Sequence, residues 1–101
     1  MKHEKLVRDK IGELIEASGR VAKTRILDDD EYKIQLEKKL FEEVSEYQKD
    51  KTPEELCDIL EVVFALAKVH GVSREELEKM RKDKEDERGA FDKKIYLIEA
   101  Q

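Results

Sequence analysis

Two apolar patterns of helical period, Leu36 to Tyr47 and Ile59 to Val69, are separated by one break at Lys51-Thr52-Pro53. That break does more than any other feature to restrict the fold. Proline fixes φ and lacks an N–H, so it stops a helix or opens one at its first position. Thr52, with Glu55 three residues later, adds a capping-box pattern to the opening. A connection this short sets two long helices side by side and antiparallel.

The other elements follow from similar punctuation. Val7, Ile11, Leu14 and Ile15 share a face, predicting a first helix over Leu6 to Ala17 with Gly19 as its stop. "RVAKTRIL" reads as extended. Asp28 to Asp30 supply a cap and a favourable dipole partner for a second helix ending near Asp50. The third helix runs from Pro53 to His70, and Gly71 ends it. Ser73 and Glu76 repeat the capping box and open a fourth, very polar helix, with Leu77 and Met80 as its core contacts. The expected fold is all-α, a bundle of about four helices in a single domain over residues 1–101. A small two-stranded pairing of residues 23–27 with residues 94–98 is also expected.

Composition narrows the function. Charged residues make up 47% of the 101 and hydrophobic ones 39%, but the helical spacing of the latter argues against disorder. A net charge of −5 gives no footprint for a nucleic-acid polymer. The one cysteine, Cys57, excludes an internal disulfide and a cysteine-rich zinc site, and it reads as core. The start "MKHEKLVRDK" has no apolar signal core, and no run reaches the roughly 18 apolar residues of a membrane span. The expected location is therefore the cytoplasm, away from membranes. His3 and His70 read as a terminal residue and a helix-end residue.

The acids of the central hairpin are placed unusually. Leu36, Leu40, Glu43 and Tyr47 follow steps of four, three and four, so Glu43 takes a packing position. Glu46 lies about 60° round from it, one turn further along. On the third helix, Glu55 heads the stripe Ile59, Val62, Leu66, Val69, and Asp58 borders it. An antiparallel hairpin brings Glu43, Glu46, Glu55 and Asp58 to one end. Buried carboxylates are costly unless paired or metal-bound, and four oxygen donors without His or Cys suit Mg²⁺ or Mn²⁺. Each acid also has a plain structural reading. Glu55 completes the Thr52 capping box, Glu46 pairs with Lys49, and Glu43 pairs with Lys39 one turn before it.

Glu43-x-x-Glu46 followed by Glu55-x-x-Asp58 resembles the metal-binding signature of the all-α nucleoside triphosphate pyrophosphohydrolases. These include MazG-like house-cleaning enzymes and phosphoribosyl-ATP pyrophosphohydrolase. "KKLFEEVSEY" and "EELCDILEVV" are similar to that family's two acid-bearing helices. "KLVRDKI" and "ERGAF" resemble a branch acting on noncanonical nucleotides. The likeness runs from Lys5 to about Leu97. The eight-residue gap between Glu46 and Glu55 is shorter than in many members, leaving less room for a substrate-contacting loop.

The resemblance implies cleavage between the α- and β-phosphates of a nucleoside triphosphate, giving a monophosphate and pyrophosphate. Glu43, Glu46, Glu55 and Asp58 would hold Mg²⁺, or Mn²⁺ in its place, and Glu46 would be the base toward the attacking water. Lys39, Arg8, Lys10 and Arg88 would contact the substrate, with Lys23 and Arg25 as weaker candidates. The third helix, apolar nearly all round, predicts self-association, and the resemblance implies a homodimer or homotetramer. Two other readings stay open: phosphoribosyl-ATP pyrophosphohydrolase, with the same four acids, and a non-catalytic helical interaction protein.

Overall fold

The computed structural model describes residues 4–101, so His3 lies outside the described residues. Four helices form: α1 over Ile11–Ala17, α2 over Asp29–Asp50, α3 over Pro53–Val69 and α4 over Arg74–Arg88. The Asp28 carboxylate caps α2 by accepting from the Glu31 N–H at 2.8 Å. At the other end Lys51 takes a left-handed φ of 55° and donates its N–H to the Tyr47 carbonyl, which closes the helix. Pro53 then sits at the start of α3, with two residues between it and the end of α2.

Five expectations change. α1 begins at Ile11 rather than Leu6, because residues 5–10 run irregularly and end in a turn in which Ile11 N–H donates to the Arg8 carbonyl. Thr52 is the residue before α3, but its hydroxyl makes no capping bond, so the Thr52–Glu55 box does not form. Cys57 is exposed rather than core. It lies about 140° round α3 from Val62, the residue that α3 buries most completely. Residues 23–27 and 94–98 form no strands, and Ile95 to Ile98 are almost fully exposed instead of paired. Met80 is also exposed, so Leu77 alone on α4 is half-covered in the way expected. The capping box at Ser73 does form, with the hydroxyl accepting from Glu76 N–H and the Glu76 carboxylate from Ser73 N–H.

The core lies between α2 and α3. Leu36, Val62 and Ala67 are the buried hydrophobic residues among those described. Burying Leu36 and Val62 stabilises by roughly 1.5–3 kcal/mol each. That is little beside a backbone ordering cost of about 1–2 kcal/mol per residue. α4 leaves the hairpin after the turn at Gly71. It touches α3 mainly near its own start, where the Arg74 guanidinium stacks 4.1 Å from the centre of the Phe64 ring. Further along, Lys79–Asp83, Arg81–Glu78, Arg81–Glu85 and Lys82–Asp86 pairs support α4 from within. The result is elongated, 59 × 32 × 23 Å, with a radius of gyration of 17.7 Å. A compact chain of this length has about 13 Å.

Candidate metal and phosphate site

The hairpin turn carries the acids to one end of the α2–α3 pair. Glu43, Glu55 and Asp58 place a carboxylate oxygen each within 4.8 Å of one another, and so do Glu46, Asp50 and Glu55. Glu55 is common to both groups. The four acids expected from the sequence thus divide between two overlapping clusters, and Asp50 joins them. Asp50, one turn beyond Glu46, was missed from the sequence, because its place in the last turn of α2 reads as an ordinary helix end.

The failed capping box at Thr52 explains the role of Glu55. Its backbone N–H donates to the Thr52 carbonyl at 3.2 Å, while its carboxyl approaches the other acids. Partial burial, then a hydrogen bond with Asp50, then the charges of Asp50, Asp58 and Glu46 push the Glu55 carboxyl above its ordinary 4.5. The cluster is therefore short of positive charge. A divalent cation would offset both the partial burial and the like charges that raise this carboxyl.

Two of the basic candidates stand at this end. Lys39, with 17% of its side chain exposed, lies 3.4 Å from Glu43, whose side chain is 12% exposed, and 3.3 Å from Glu42. The helix pair considered for Lys39 is the arrangement observed. It also gives Glu43 a cationic partner in its packing position. Arg8 donates to the Asp58 carboxylate at 2.6 Å, tying the irregular segment before α1 to α3 across fifty residues of sequence. Both side chains of that pair are about half exposed, so its worth is at most about 1 kcal/mol.

The remaining candidates lie elsewhere. Lys10 is exposed at the start of α1. Arg25 is engaged with Glu31 at 2.9 Å, and that contact holds the Glu31 carboxyl below its usual range. Lys23 is exposed. Arg88 ends α4 and lines a separate hollow of 310 Å³ formed by residues 88–95. None of these four touches the acids.

All the donors are carboxylate oxygens, and the two groups share one residue. That set fits a hard divalent ion of the Mg²⁺ or Mn²⁺ kind and not zinc.

Comparison with known proteins gives one local likeness. A 41-residue stretch is 61% identical to an uncharacterized protein of Mycolicibacterium smegmatis (strain ATCC 700084 / mc(2)155). The stretch covers 41% of this chain and 42% of that protein, so less than half of either is matched. No family model matches the chain. No solved structure matches it either. Among the described residues no helix is long and apolar enough to cross a membrane.

Proposed function

We propose that the chain is a Mg²⁺-dependent nucleoside triphosphate pyrophosphohydrolase, cleaving between the α- and β-phosphates to give a nucleoside monophosphate and pyrophosphate. The observation that carries this reading is the convergence of Glu43, Glu55 and Asp58 across the hairpin, with Glu46 and Asp50 alongside. The sequence resemblance supplies the reaction, and its "KLVRDKI" and "ERGAF" blocks favour noncanonical nucleotides, a house-cleaning role in the cytoplasm. Mn²⁺ would serve in place of Mg²⁺.

Glu43, Glu55 and Asp58 would hold the cation, with Glu46 completing the set. When bound, the ion would neutralise phosphate charge and ease deprotonation of a water. Lys39, paired with Glu43 at 3.4 Å, holds that carboxylate in place. Glu46, nearer Asp50 and Glu55, is the base that takes the proton of the attacking water. Arg8 is the residue best placed to exchange its Asp58 partner for a phosphate oxygen, because guanidinium binds both groups with the same paired geometry. Lys10 and Arg88 need a rearrangement or a second chain to reach the site. Uncovered apolar residues on α3 favour a homodimer or homotetramer.

The test is pyrophosphate release from a panel of common and noncanonical nucleotides, with and without Mg²⁺. Metal-dependent release is expected, and its absence from every nucleotide would overturn the reading. Glu43→Gln should lower turnover on the order of 100-fold or more, with helicity by circular dichroism unchanged.

A further inference from the structure

Beyond α4 the chain carries a dense group of highly exposed apolar residues. Gly89 takes φ 84° and ends the helix, and residues 91–94 turn, with Lys94 N–H donating to the Phe91 carbonyl at 3.1 Å. Phe91, Ile95, Tyr96, Leu97 and Ile98 are then 76–96% exposed. The turn costs something, because Lys94 holds a left-handed φ of 58° without being glycine. Polar α4, about 22 Å long by its fifteen residues, carries this segment away from the hairpin it diverges from. Five large apolar side chains within eight residues, four of them consecutive, are not a solvent-facing design.

A complementary surface exists on the same molecule. Leu56 and Leu60, four residues apart on one face of α3, are 46% and 50% exposed. Glu55 immediately precedes Leu56, so this apolar face adjoins the acids. Charge complements it as well. Glu42, Glu43, Glu46, Asp50, Glu55 and Asp58 outnumber Lys39 and Arg8 there. Arg88, Lys93 and Lys94, against Asp92, line the basic hollow next to the apolar segment.

We infer that residues 91–98 of one chain dock on the Leu56–Leu60 face of a second copy, carrying Arg88, Lys93 and Lys94 to that copy's acidic cluster. The exchange is reciprocal, so two chains complete two sites. An aromatic side chain buries roughly 150–250 Å². Two exchanged segments with their receiving faces therefore reach the range of about 1,200–2,000 Å² typical of a stable interface. The docked segment also accounts for the elongated single chain, whose own core is thin. The docking stands on exposure and charge, while the use of the basic residues toward a triphosphate rests on the proposed function.

The experiment keeps the two apart. Equal amounts of ¹⁴N- and ¹⁵N-labelled full-length chain are mixed, unfolded and refolded together, then treated with a short cysteine-to-amine cross-linker. Exposed Cys57, beside Leu56, is the thiol, and Lys93 and Lys94 are the amines. Cross-linked peptides of mixed isotope are expected, with a dimer or larger species by light scattering. A monomer, or Cys57–Lys93 and Cys57–Lys94 links within one isotope only, overturns the docking whether or not the protein is active. Ile95→Asp with Leu97→Asp should abolish the mixed links while α-helicity is kept; unchanged links would overturn the assigned contact.

The catalytic consequence has its own readout. Glu43→Gln chains and Arg88→Ala/Lys94→Ala chains should each be nearly inactive. Refolded together in equal amounts, they should regain about one quarter of wild-type activity, because half the dimers are mixed and each has one intact site. An active Arg88→Ala/Lys94→Ala chain, or no recovery on mixing, would remove the basic residues from the site. Failure of wild-type chain to release pyrophosphate would fall on the proposed function, and the isotope result would stand.

Discussion

The α2–α3 hairpin and the segments flanking it both carry large apolar residues, which end in opposite states. In the hairpin, Leu36, Val62 and Ala67 are buried, and Glu43 is nearly so. Outside it, Val21 and Ile26 before α2, and Phe91 and Ile98 after α4, are at least 90% exposed. The difference is periodicity. Apolar residues three and four apart on two helices joined by a two-residue turn face each other without further instruction. Val21, Ile26 and the 95–98 run have no helical partner positions, and no edge strand is offered to them. Apolar character alone places nothing; it needs a surface to meet.

The largest effect that would sharpen this contrast is a pair of truncations. Leu36→Ala should destabilise by about 2–5 kcal/mol in urea unfolding followed by circular dichroism. Ile26→Ala should stay within about 0.5 kcal/mol. An Ile26 effect as large as that of Leu36 would mean the outer segment is packed in solution, and the comparison would break.

A smaller effect separates the two helix starts that carry the same sequence pattern. Ser73→Ala removes an observed cap and should cost about 1 kcal/mol. Thr52→Ala removes a hydroxyl that caps nothing and should be worth only a few tenths, measured by the same unfolding curves. Equal costs would show that the Thr52 box forms after all and that Glu55 is not free for the acid cluster.

The subtlest test concerns pH. The Glu55 carboxyl is raised above 4.5 in the fold, so the folded chain binds that proton more tightly than the unfolded chain. Its unfavourable contribution is absent below about pH 4.5, grows as pH rises through the interval up to the raised value, and is complete at neutral pH. Glu55→Gln should therefore raise Tm at pH 7 without divalent ions and give no advantage at pH 4. Added Mg²⁺ should raise the Tm of wild type more than that of the variant. A variant less stable than wild type at pH 7 in the absence of metal would contradict the crowding of carboxylates at this end.

Much of the site was legible because helix geometry and a short turn are local. Glu43 in a packing seam and Glu55 and Asp58 at the head of α3 follow from residue spacing, and the structure groups those three. Asp50 was not legible, because an acid at the end of a helix looks like any surface charge until the neighbouring helix start is placed beside it. Glu55 was ambiguous for the opposite reason, since one short side chain had two local uses and only the surroundings chose between them. Cys57 was misread as core because α3 is apolar on more sides than one neighbour covers.

The sequence by itself determined the four helices, the break at Lys51-Thr52-Pro53 and the end of the hairpin at which the acids gather. These depend on spacing, capping and the chemistry of proline, all of which act within a few residues. Tertiary structure alone decided that Arg8 meets Asp58, that Asp50 joins Glu55, and that α4 leaves the hairpin with residues 95–98 uncovered. Those outcomes depend on which surfaces meet across long stretches of chain, and burial and Coulomb energies are set only once they have met.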